Sequence, residues 1–268
     1  MLVYLFAILS AILTAGLYIA FSALSPWWIL PIFVGGFVAL NCVYIIYLFI
    51  TSFAFSMKKP IKRVDPYAFF MTHLTVNWLL GLFRVRHHAT GVEKLPKEPF
   101  VLVSNHRSDF DPMVGFDALR GIKLGYISKE ANFRIPIVGR HIYHCGFLPI
   151  DRKNPLRAAR TIKEAARLVR ECGVSMGIYP EGTRSKTDEM LPFKDGAFLL
   201  AKKANAPLVI MATRGTEQIT KNFPWRRTKV EMEILRVIDR ETVASLEAKA
   251  LSALAREEIE RYLHPTTE

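Results

Sequence analysis

A histidine with two nearby carboxylates is the first candidate for acid–base chemistry. Residues 105–112 read NHRSDFDP, so His106 is followed closely by Asp109 and Asp111. A carboxylate that holds one imidazole nitrogen leaves the other nitrogen free and stabilises the protonated ring. The segment therefore predicts a general base at His106 with one of the two aspartates as its partner. The alternative interpretation is that an aspartate only caps the helix that begins near Pro112.

Three further turns carry cations that could bind phosphate. Residues 179–185 read YPEGTRS, in which Gly182 permits close backbone approach while Thr183 and Arg184 suit phosphate oxygens. This turn is not a Walker loop because the Gly-Lys-Thr sequence is missing. Arg152 ends the segment GFLPIDR, and Lys194 lies in PFKDG. Plain polar surface turns are the alternative interpretation of these segments.

Short apolar runs and helical patterns alternate from about residue 84 onward. The helix that follows Asn154 has a proline at its first position and Gly173 at its end, and Asp239 caps a terminal helix that runs to about Leu263. The alternation predicts an α/β fold with a mostly parallel central sheet flanked by helices. Ligands bind at the carboxyl ends of such strands. The polar turns that follow three of the predicted strands, which carry His106, Arg152 and Arg184, are therefore expected to converge. The predicted strands are 100–103, 123–128, 146–150, 174–179, 207–213 and 229–237.

The first 57 residues contain no Asp, Glu, Lys or Arg. Apolar runs at 2–24 and 29–55 are each long enough to cross a bilayer, and Pro26, Trp27 and Trp28 separate them. This pattern predicts a membrane-embedded two-helix hairpin with an interfacial tip, although a hairpin that enters only one leaflet fits the same residues. The basic cluster at 58–63 places its own side in the cytoplasm, which predicts a cell (inner) membrane protein with the catalytic domain on the cytoplasmic face.

Residues 66–83 form a third uncharged stretch, with apolar side chains recurring every three or four positions. Basic residues flank both ends, and a third crossing would put one basic cluster on the wrong side of the membrane. The pattern predicts an interfacial amphipathic helix on the cytoplasmic leaflet. The chain is thus divided into a membrane hairpin at 1–57, a basic flank with the interfacial helix at 58–86, and an α/β domain at 87–268.

Net charge and cysteine content narrow the class of protein. The chain carries 36 Lys and Arg against 24 Asp and Glu, a net charge of +12, which suits anionic lipids and anionic substrates. No nucleic-acid-binding motif accompanies the basic residues, so a nucleic acid partner is not predicted. The cysteines at 42, 145 and 172 are far apart, and their spacing predicts neither a disulfide framework nor a zinc site.

Taken in order along the chain, these motifs resemble the four blocks of the glycerolipid acyltransferases, specifically the 1-acyl-sn-glycerol-3-phosphate (lysophosphatidate) acyltransferase family with its His-x4-Asp motif. The resemblance spans about residues 86–263, and its blocks are Asn105-His106 with Asp111, Gly146 with Asp151-Arg152, Pro180 to Arg184, and Ala206 to Val209. It implies that Asp111, rather than Asp109, is the partner of catalytic His106. The implied substrate-binding residues are Arg152, Glu181, Gly182, Thr183, Arg184 and Lys194.

The resemblance implies an enzyme that moves a fatty acyl group from an acyl thioester to the 2-hydroxyl of lysophosphatidate, giving phosphatidate. The implied partners are a lysophospholipid, the thioester of coenzyme A or of acyl carrier protein, and anionic membrane lipids, with no metal and no other cofactor. Three alternatives stay open. They are a different acceptor (another lysophospholipid, glycerol-3-phosphate or an ornithine lipid), a membrane-anchored metal-dependent esterase that uses His106, Asp109 and Asp111 as ligands, and a non-enzymatic basic membrane tether.

Overall fold

The computed structural model describes residues 2–21 and 24–265. The described residues leave out Met1, at the start of the predicted segment 1–57, and 266–268, at the end of the predicted segment 87–268. They also leave out Ser22 and Ala23 in the first apolar run. The helices are α1 Leu2–Ala20, α2 Ile29–Ser52, α3 Pro66–Leu82, α4 Asp111–Ala118, α5 Glu130–Phe133, α6 Val138–His144, α7 Pro155–Cys172, α8 Gly196–Ala204, α9 Ile219–Asn222, α10 Arg240–Ser245 and α11 Ala248–Leu263. The strands are β1 Val85–Thr90, β2 Val101–Ser104, β3 Leu124–Lys129, β4 Leu148–Ile150, β5 Ser175–Ile178, β6 Leu208–Arg214 and β7 Thr228–Ile238.

Within the described residues, the strands form one sheet in the order β1-β7-β6-β2-β5-β3-β4. Neighbouring strands pair in parallel except β6 and β7, which are antiparallel. The α/β fold class with a mostly parallel sheet is therefore confirmed. Because β1 pairs in parallel with β7, it runs opposite to β2, and the start of β1 lies at the same edge of the sheet as the end of β2.

Both faces of the sheet are buried, as a parallel sheet requires. Strand β2 shows this most clearly, because Val101 and Val103 enter the core beneath α7, α8 and α11, while Leu102 enters the core beneath α3 and α4. This arrangement explains why the β2 segment is continuously apolar instead of alternating with polar residues. Its polar residues begin only at Ser104, where the strand reaches the edge of the sheet.

The predicted strands are all present, but β1 was not predicted. Its residues alternate between half-buried and exposed positions, and the half-buried side chains at Val85, His87 and Ala89 give a weak hydrophobic pattern. The terminal helix prediction is wrong in one respect. Asp239 caps α10 through Thr242 N–H at 2.7 Å, but the helix ends at Ser245, and α11 begins separately at Ala248 after extended backbone at Leu246 and Glu247.

Helices α1 and α2 pack against each other as a hairpin. The Ser10 hydroxyl donates to the carbonyl oxygen of Phe33 at 2.5 Å, and a Cβ on Gly36 would lie 2.8 Å from Ser10 Oγ, so the helices approach closely. In the described part of the chain, Leu2–Ala20 and Pro26–Ser52 are long and apolar enough to cross a membrane by length and composition alone. Most of their large apolar side chains are exposed, which supports a membrane location for the hairpin.

Helix α3 begins after Asp65, which accepts a hydrogen bond from Ala68 N–H at 2.9 Å. The helix is found where the sequence predicts it, but it packs against protein on several sides, with contacts to α1, α4 and α6. Tyr44 and Thr75 share a hydrogen bond of 2.8 Å that ties α2 to α3. Helix α3 therefore joins the hairpin to the sheet domain, and its predicted position on the membrane surface stays a prediction.

Candidate active site

His106 lies just beyond the end of β2, in a turn anchored to the neighbouring strand. The Asn105 side chain donates to the carbonyl oxygen of Thr213 at 2.8 Å and accepts from Thr213 N–H at 2.8 Å. This paired contact between Asn105 and β6 continues the backbone pairing of the sheet after β2 has ended. The turn that carries His106 is consequently fixed to β6 in the middle of the sheet.

The imidazole of His106 is held by Asp111, the first residue of α4. His106 Nδ1 lies 2.8 Å from Asp111 Oδ2, and that oxygen also accepts the N–H groups of Arg107 at 2.7 Å and Ser108 at 2.8 Å. Asp111 Oδ1 accepts the hydroxyl of Thr216 at 2.5 Å. Asp111 is only 2% exposed, and these donors satisfy its buried carboxylate. The same carboxylate thus organises the turn and orients the histidine.

Asp109 faces a different partner. Its Oδ2 lies 2.5 Å from Nη1 of Arg184, and its side chain is 73% exposed. The structure therefore pairs His106 with Asp111 and Arg184 with Asp109, which distinguishes two aspartates that the spacing alone left equivalent.

Glu181 supports the backbone of the histidine turn. Its Oε1 accepts His106 N–H at 2.6 Å and its Oε2 accepts Leu191 N–H at 2.9 Å. Burial raises the pKa of Glu181, and the two backbone hydrogen bonds offset this in part. Glu181 is 2% exposed, and both of its carboxylate oxygens accept backbone N–H groups that brace the turn. Its predicted contact with the substrate stays a prediction.

The face of the His106 ring packs on Tyr179, at the end of β5. The two rings are nearly parallel, with 4.3 Å between centroids and 17° between planes. Tyr126 stacks on the other face of Tyr179 at 5.8 Å. With Nδ1 held by Asp111 and one ring face covered, Nε2 has no hydrogen-bond partner among residues 2–21 and 24–265. It is the nitrogen available to a substrate.

Three of the predicted cations gather near this turn. Burial lowers the pKa of Arg152, and the positive charge of nearby Arg184 lowers it further. The Lys194 side chain runs over Gly182, where φ is +71° and a Cβ would lie 2.8 Å from Lys194 Nζ. The positive φ favours glycine at this position, whereas the Lys194 side chain could move away from a Cβ. We call Arg152, Arg184 and Lys194 the cationic cluster.

A cavity of about 340 Å³ opens beside the cationic cluster, between α7, α8 and the sheet. Arg152, Gly182 and Lys194 line it, and Tyr179 lines it from the His106 side. The rest of the wall is mainly aliphatic, which is typical of a site for an apolar ligand with a polar end. We call it the apolar cavity, and its wall includes Ile127, Ile150, Ala159, Ile162, Ile178 and Leu199.

Residues 86–214 match the family model described as Acyltransferase. A 1-acyl-sn-glycerol-3-phosphate acyltransferase of Haemophilus influenzae is 29% identical over 203 residues, covering 76% of this chain and 82% of the relative. The chloroplastic enzyme BAT2 of Brassica napus, with the same activity in its name, is 37% identical over 131 residues, covering 48% of this chain and 37% of the relative. The chain is therefore similar to acyltransferases over about half of its length.

The chain also shares its fold with a solved structure. The 1-acyl-sn-glycerophosphate acyltransferase PlsC of Thermotoga maritima superposes with a TM-score of 0.62 at 23% identity, covering 84% of this chain and 91% of that chain. The likeness extends well beyond the matched family region. It supports the arrangement of helices around the sheet described above.

Two contacts of the candidate site were missed from the sequence. Thr216, which donates to Asp111, lies 105 residues away along the chain in a turn after β6. Tyr179 was read only as the end of a strand, although its ring supports His106. Thr183, by contrast, was predicted to bind substrate, but it is exposed and does not line the apolar cavity. Its predicted role stays a prediction.

The three cysteines of the chain are free thiols. Cys145 is buried, its thiol lies 3.1 Å from the Thr72 hydroxyl, and burial raises its pKa to about 12. A thiol with so high a pKa is a poor nucleophile at neutral pH. Across residues 2–21 and 24–265, no group of three His, Cys, Asp or Glu side chains is arranged to hold a metal ion.

Proposed function

We propose that this protein transfers a fatty acyl group from an acyl thioester to the 2-hydroxyl of lysophosphatidate, giving phosphatidate in phospholipid synthesis. The observation that carries the proposal is the His106–Asp111 pair, which leaves Nε2 free, on a ring that stacks against Tyr179 in the wall of the apolar cavity. The names of the bacterial and plant relatives support the same reaction. The chain spans only 37% of the Brassica relative, so the assignment rests on the site as much as on similarity.

His106 acts as the general base in this reaction. Its Nε2 accepts the proton of the lipid hydroxyl, and the oxygen forms a bond to the thioester carbonyl carbon. The carbon–sulfur bond then breaks, and the thiolate takes a proton from the imidazolium or from water. Thiolate departure needs little acid assistance because the pKa of a simple thiol is about 8.5. Asp111 keeps Nδ1 protonated and stabilises the imidazolium that forms.

The cationic cluster binds the phosphate of the acceptor in this proposal. Guanidinium groups match phosphate oxygens in geometry and charge, and Arg152 and Arg184 lie together near His106. The ion pair between Arg184 and Asp109 orients the guanidinium, and the Arg184 side chain stays 50% exposed. Binding the phosphate here fixes the hydroxyl near Nε2, and such positioning supplies a large share of the rate.

The apolar cavity receives the acyl chain of the donor. Its aliphatic wall is built from strands β3, β4 and β5 and from helices α7 and α8, while its cationic residues lie toward His106. A chain bound there carries its thioester carbonyl toward the free imidazole nitrogen. Either coenzyme A or acyl carrier protein can serve as the thioester carrier in this proposal, and no metal or other cofactor takes part.

The proposal places the enzyme in the cell membrane, with its catalytic domain on the cytoplasmic face. The exposed apolar surface of α1 and α2 supports the membrane location. The basic residues after α2 support the orientation through the positive-inside rule. Anionic membrane lipids then surround a protein of net charge +12.

The decisive experiment assays the purified full-length protein in nanodiscs with one acyl donor and a panel of acceptors, with product lipids identified by mass spectrometry. The acceptors are lysophosphatidate, other lysophospholipids, glycerol-3-phosphate and a lyso-ornithine lipid. We expect phosphatidate as the main product, its loss in His106→Ala, and its retention in His88→Ala, which changes an exposed histidine on β1. Acylation of another acceptor in preference to lysophosphatidate would overturn the substrate assignment.

Two further measurements separate the proposal from its rivals. A metal-dependent esterase would hydrolyse esters without a thioester and would lose activity in chelator, whereas we expect activity that is insensitive to chelator and dependent on thioester. A membrane tether would keep its cellular role in the His106→Ala variant, whereas we expect that variant to fail to complement a strain that lacks the reaction.

A further inference from the structure

A second cavity, of about 400 Å³, lies at the foot of the hairpin. Its wall combines the first turn of α1, the end of α3, the start of β1 and the last part of α4. We call it the basic cavity, because Arg84, Arg86, His87 and Arg227 line it. The acidic residue Asp117 lines it as well. None of these residues belongs to the site around His106.

The negative charge in the basic cavity is already compensated. Asp117 is buried, its Oδ2 lies 2.8 Å from His87 Nε2, and Nη2 of Arg120 lies 3.3 Å from its oxygens. The guanidinium of Arg84 donates to the carbonyl oxygens of Pro224 and Trp225, which fix it without neutralising it.

Arg86 and Arg227 are exposed, and neither forms an ion pair within residues 2–21 and 24–265. Together with Arg84 they leave three like charges around one cavity. Such a cluster attracts an anion, and guanidinium groups favour phosphate because several N–H donors can reach its oxygens at once. The lining therefore indicates a phosphate ligand.

The surroundings of the basic cavity indicate that the phosphate belongs to a lipid. Val3 and Tyr4 on α1 form part of the wall, and α1 passes so close to α3 that a Cβ on Gly81 would lie 3.2 Å from Val3. The loop that supplies Arg227 also carries Trp225, which is 85% exposed. Aromatic and basic side chains at the end of an apolar helix are typical of the headgroup level of a bilayer.

We propose that the basic cavity binds the phosphate of an anionic membrane lipid, separately from the acceptor that is acylated at His106. Because β1 runs opposite to β2, the basic cavity and His106 lie at the same edge of the sheet. Helix α4 links them, since Asp111 begins it and Asp117 lies six residues later, about 9 Å along the axis. A lipid held in the basic cavity therefore turns the edge that carries His106 toward the membrane.

The test measures binding of phosphatidylglycerol, a phosphodiester that is neither the proposed substrate nor the proposed product, to the full-length protein in neutral detergent by native mass spectrometry. The variant Arg86→Gln with Arg227→Gln removes two cavity charges. The control Arg160→Gln with Arg226→Gln removes two charges from exposed arginines outside the cavity, one of them in the same loop. We expect about 25-fold weaker binding in the cavity variant, from about fivefold for each of the two charges, and little change in the control.

Each outcome decides the proposal. Equal binding to the wild type and the cavity variant would overturn it, and so would loss of binding in Arg184→Gln alone, which would place the lipid in the acceptor site. Phosphatidylcholine that binds as well as phosphatidylglycerol, or inorganic phosphate that displaces the lipid at equal concentration, would overturn the assignment to an anionic lipid. Circular dichroism and melting without lipid establish that the variants are folded. The measurement needs no turnover, so its result is independent of the proposed reaction.

Discussion

Each contact around His106 removes a different freedom of the imidazole. Asp111 fixes Nδ1, Glu181 fixes the backbone N–H of the same residue, and Tyr179 covers one face of the ring. These three partners come from α4, from the turn after β5 and from the end of β5 itself. A histidine restrained this way presents Nε2 in one direction, which is what a general base needs for a fast proton transfer.

The two aspartates of the histidine turn should differ sharply in their effect on catalysis. Asp111→Asn removes the carboxylate that holds Nδ1 and stabilises the imidazolium, so we expect kcat to fall by about 10²- to 10⁴-fold. Asp109→Asn breaks only an exposed ion pair with Arg184, so we expect at most about a fivefold loss of kcat/KM. Steady-state kinetics on both variants check this, and a larger loss in Asp109→Asn would move the partner role to that residue.

Replacing Glu181 should show whether this residue supports the turn that carries His106 or binds the substrate directly. In Glu181→Gln an amide NH₂ must face the N–H of either His106 or Leu191, so we expect the free energy of unfolding to fall by about 1–3 kcal/mol. The turn that carries His106 loses its brace, so we expect kcat to fall while KM for the acceptor stays unchanged. Chemical denaturation and kinetics measure the two effects.

The matched control for this change is Glu189→Gln, which alters an exposed carboxylate in the same region. We expect it to leave stability and kinetics as they are. A rise in the acceptor KM of Glu181→Gln at constant kcat would restore the direct substrate contact that the sequence predicted.

Helices and contacts that depend on residues close together in the chain could be predicted from the sequence. Helix α7 follows from Asn154, Pro155 and Gly173, because capping depends on residues next to the helix end, and the structure has Asn154 accepting from Leu156 N–H at 3.1 Å. His106 and Asp111 are only five residues apart, so their pairing was also within reach. The break between α10 and α11 was missed because no Gly or Pro marks it.

The contacts between distant parts of the chain could not be predicted in the same way. Strand β1 pairs with β7, more than a hundred residues later, and its weak pattern of half-buried residues gave no independent signal. The packing of α3 depends on helices from three other regions, so its apolar spacing fitted a membrane surface and a protein interior equally well. The spacing of apolar residues predicts which face of a helix is buried, but the packing partner of that face depends on residues far away in the chain.

The packing of α3 on α4 predicts a pH-dependent stability. His73 on α3 stacks on Phe116 of α4 at 4.0 Å, and both of its ring nitrogens are buried without a hydrogen-bond partner in the described part of the chain. Burial lowers the pKa of His73; nearby Asp117 acts in the opposite direction and Arg120 in the same direction. The folded state therefore favours the neutral ring.

This difference gives a defined sign to the pH dependence. Above pH 6.5 His73 is neutral in both states and contributes nothing, whereas below pH 6.5 the unfolded chain gains a proton that the folded protein resists. We expect the free energy of unfolding of the wild type to fall faster than that of His73→Phe as pH drops from 6.5 to 5. Denaturation at each pH measures it, with His88→Gln as the exposed control, and parallel curves for wild type and His73→Phe would contradict it.

The whole molecule consists of an uncharged hairpin whose apolar side chains face outward and a charged domain whose apolar side chains face inward. The two parts meet where four side chains of the hairpin cluster with Met71 of α3; they are Leu2, Phe6, Tyr44 and Leu48. This joint is apolar, whereas the neighbouring basic cavity is cationic. Our proposal that the basic cavity binds a lipid phosphate would place the boundary between the two parts, and with it the active-site edge of the sheet, at the headgroup level.

The path of the hairpin through the membrane can be tested by labelling. In a variant with Cys42, Cys145 and Cys172 replaced by alanine, a single cysteine is introduced at Ser25→Cys, beside the tip, or at Lys58→Cys, after the second helix. Intact cells are treated with a membrane-impermeant maleimide, and labelling is repeated after lysis. The assay of acyl transfer establishes that each variant is still assembled.

We expect the Ser25→Cys protein to be labelled in intact cells and the Lys58→Cys protein only after lysis. The reason is that both helices are long enough to cross, while the positive charges at 58–63 hold their end in the cytoplasm. Protection of both positions in intact cells, followed by labelling of Lys58→Cys alone after lysis, would show that the hairpin enters one leaflet and that Trp27 and Trp28 lie within the bilayer. Labelling of Lys58→Cys in intact cells would reverse the orientation and move the active site to the outer face, where cytoplasmic acyl thioesters cannot reach it.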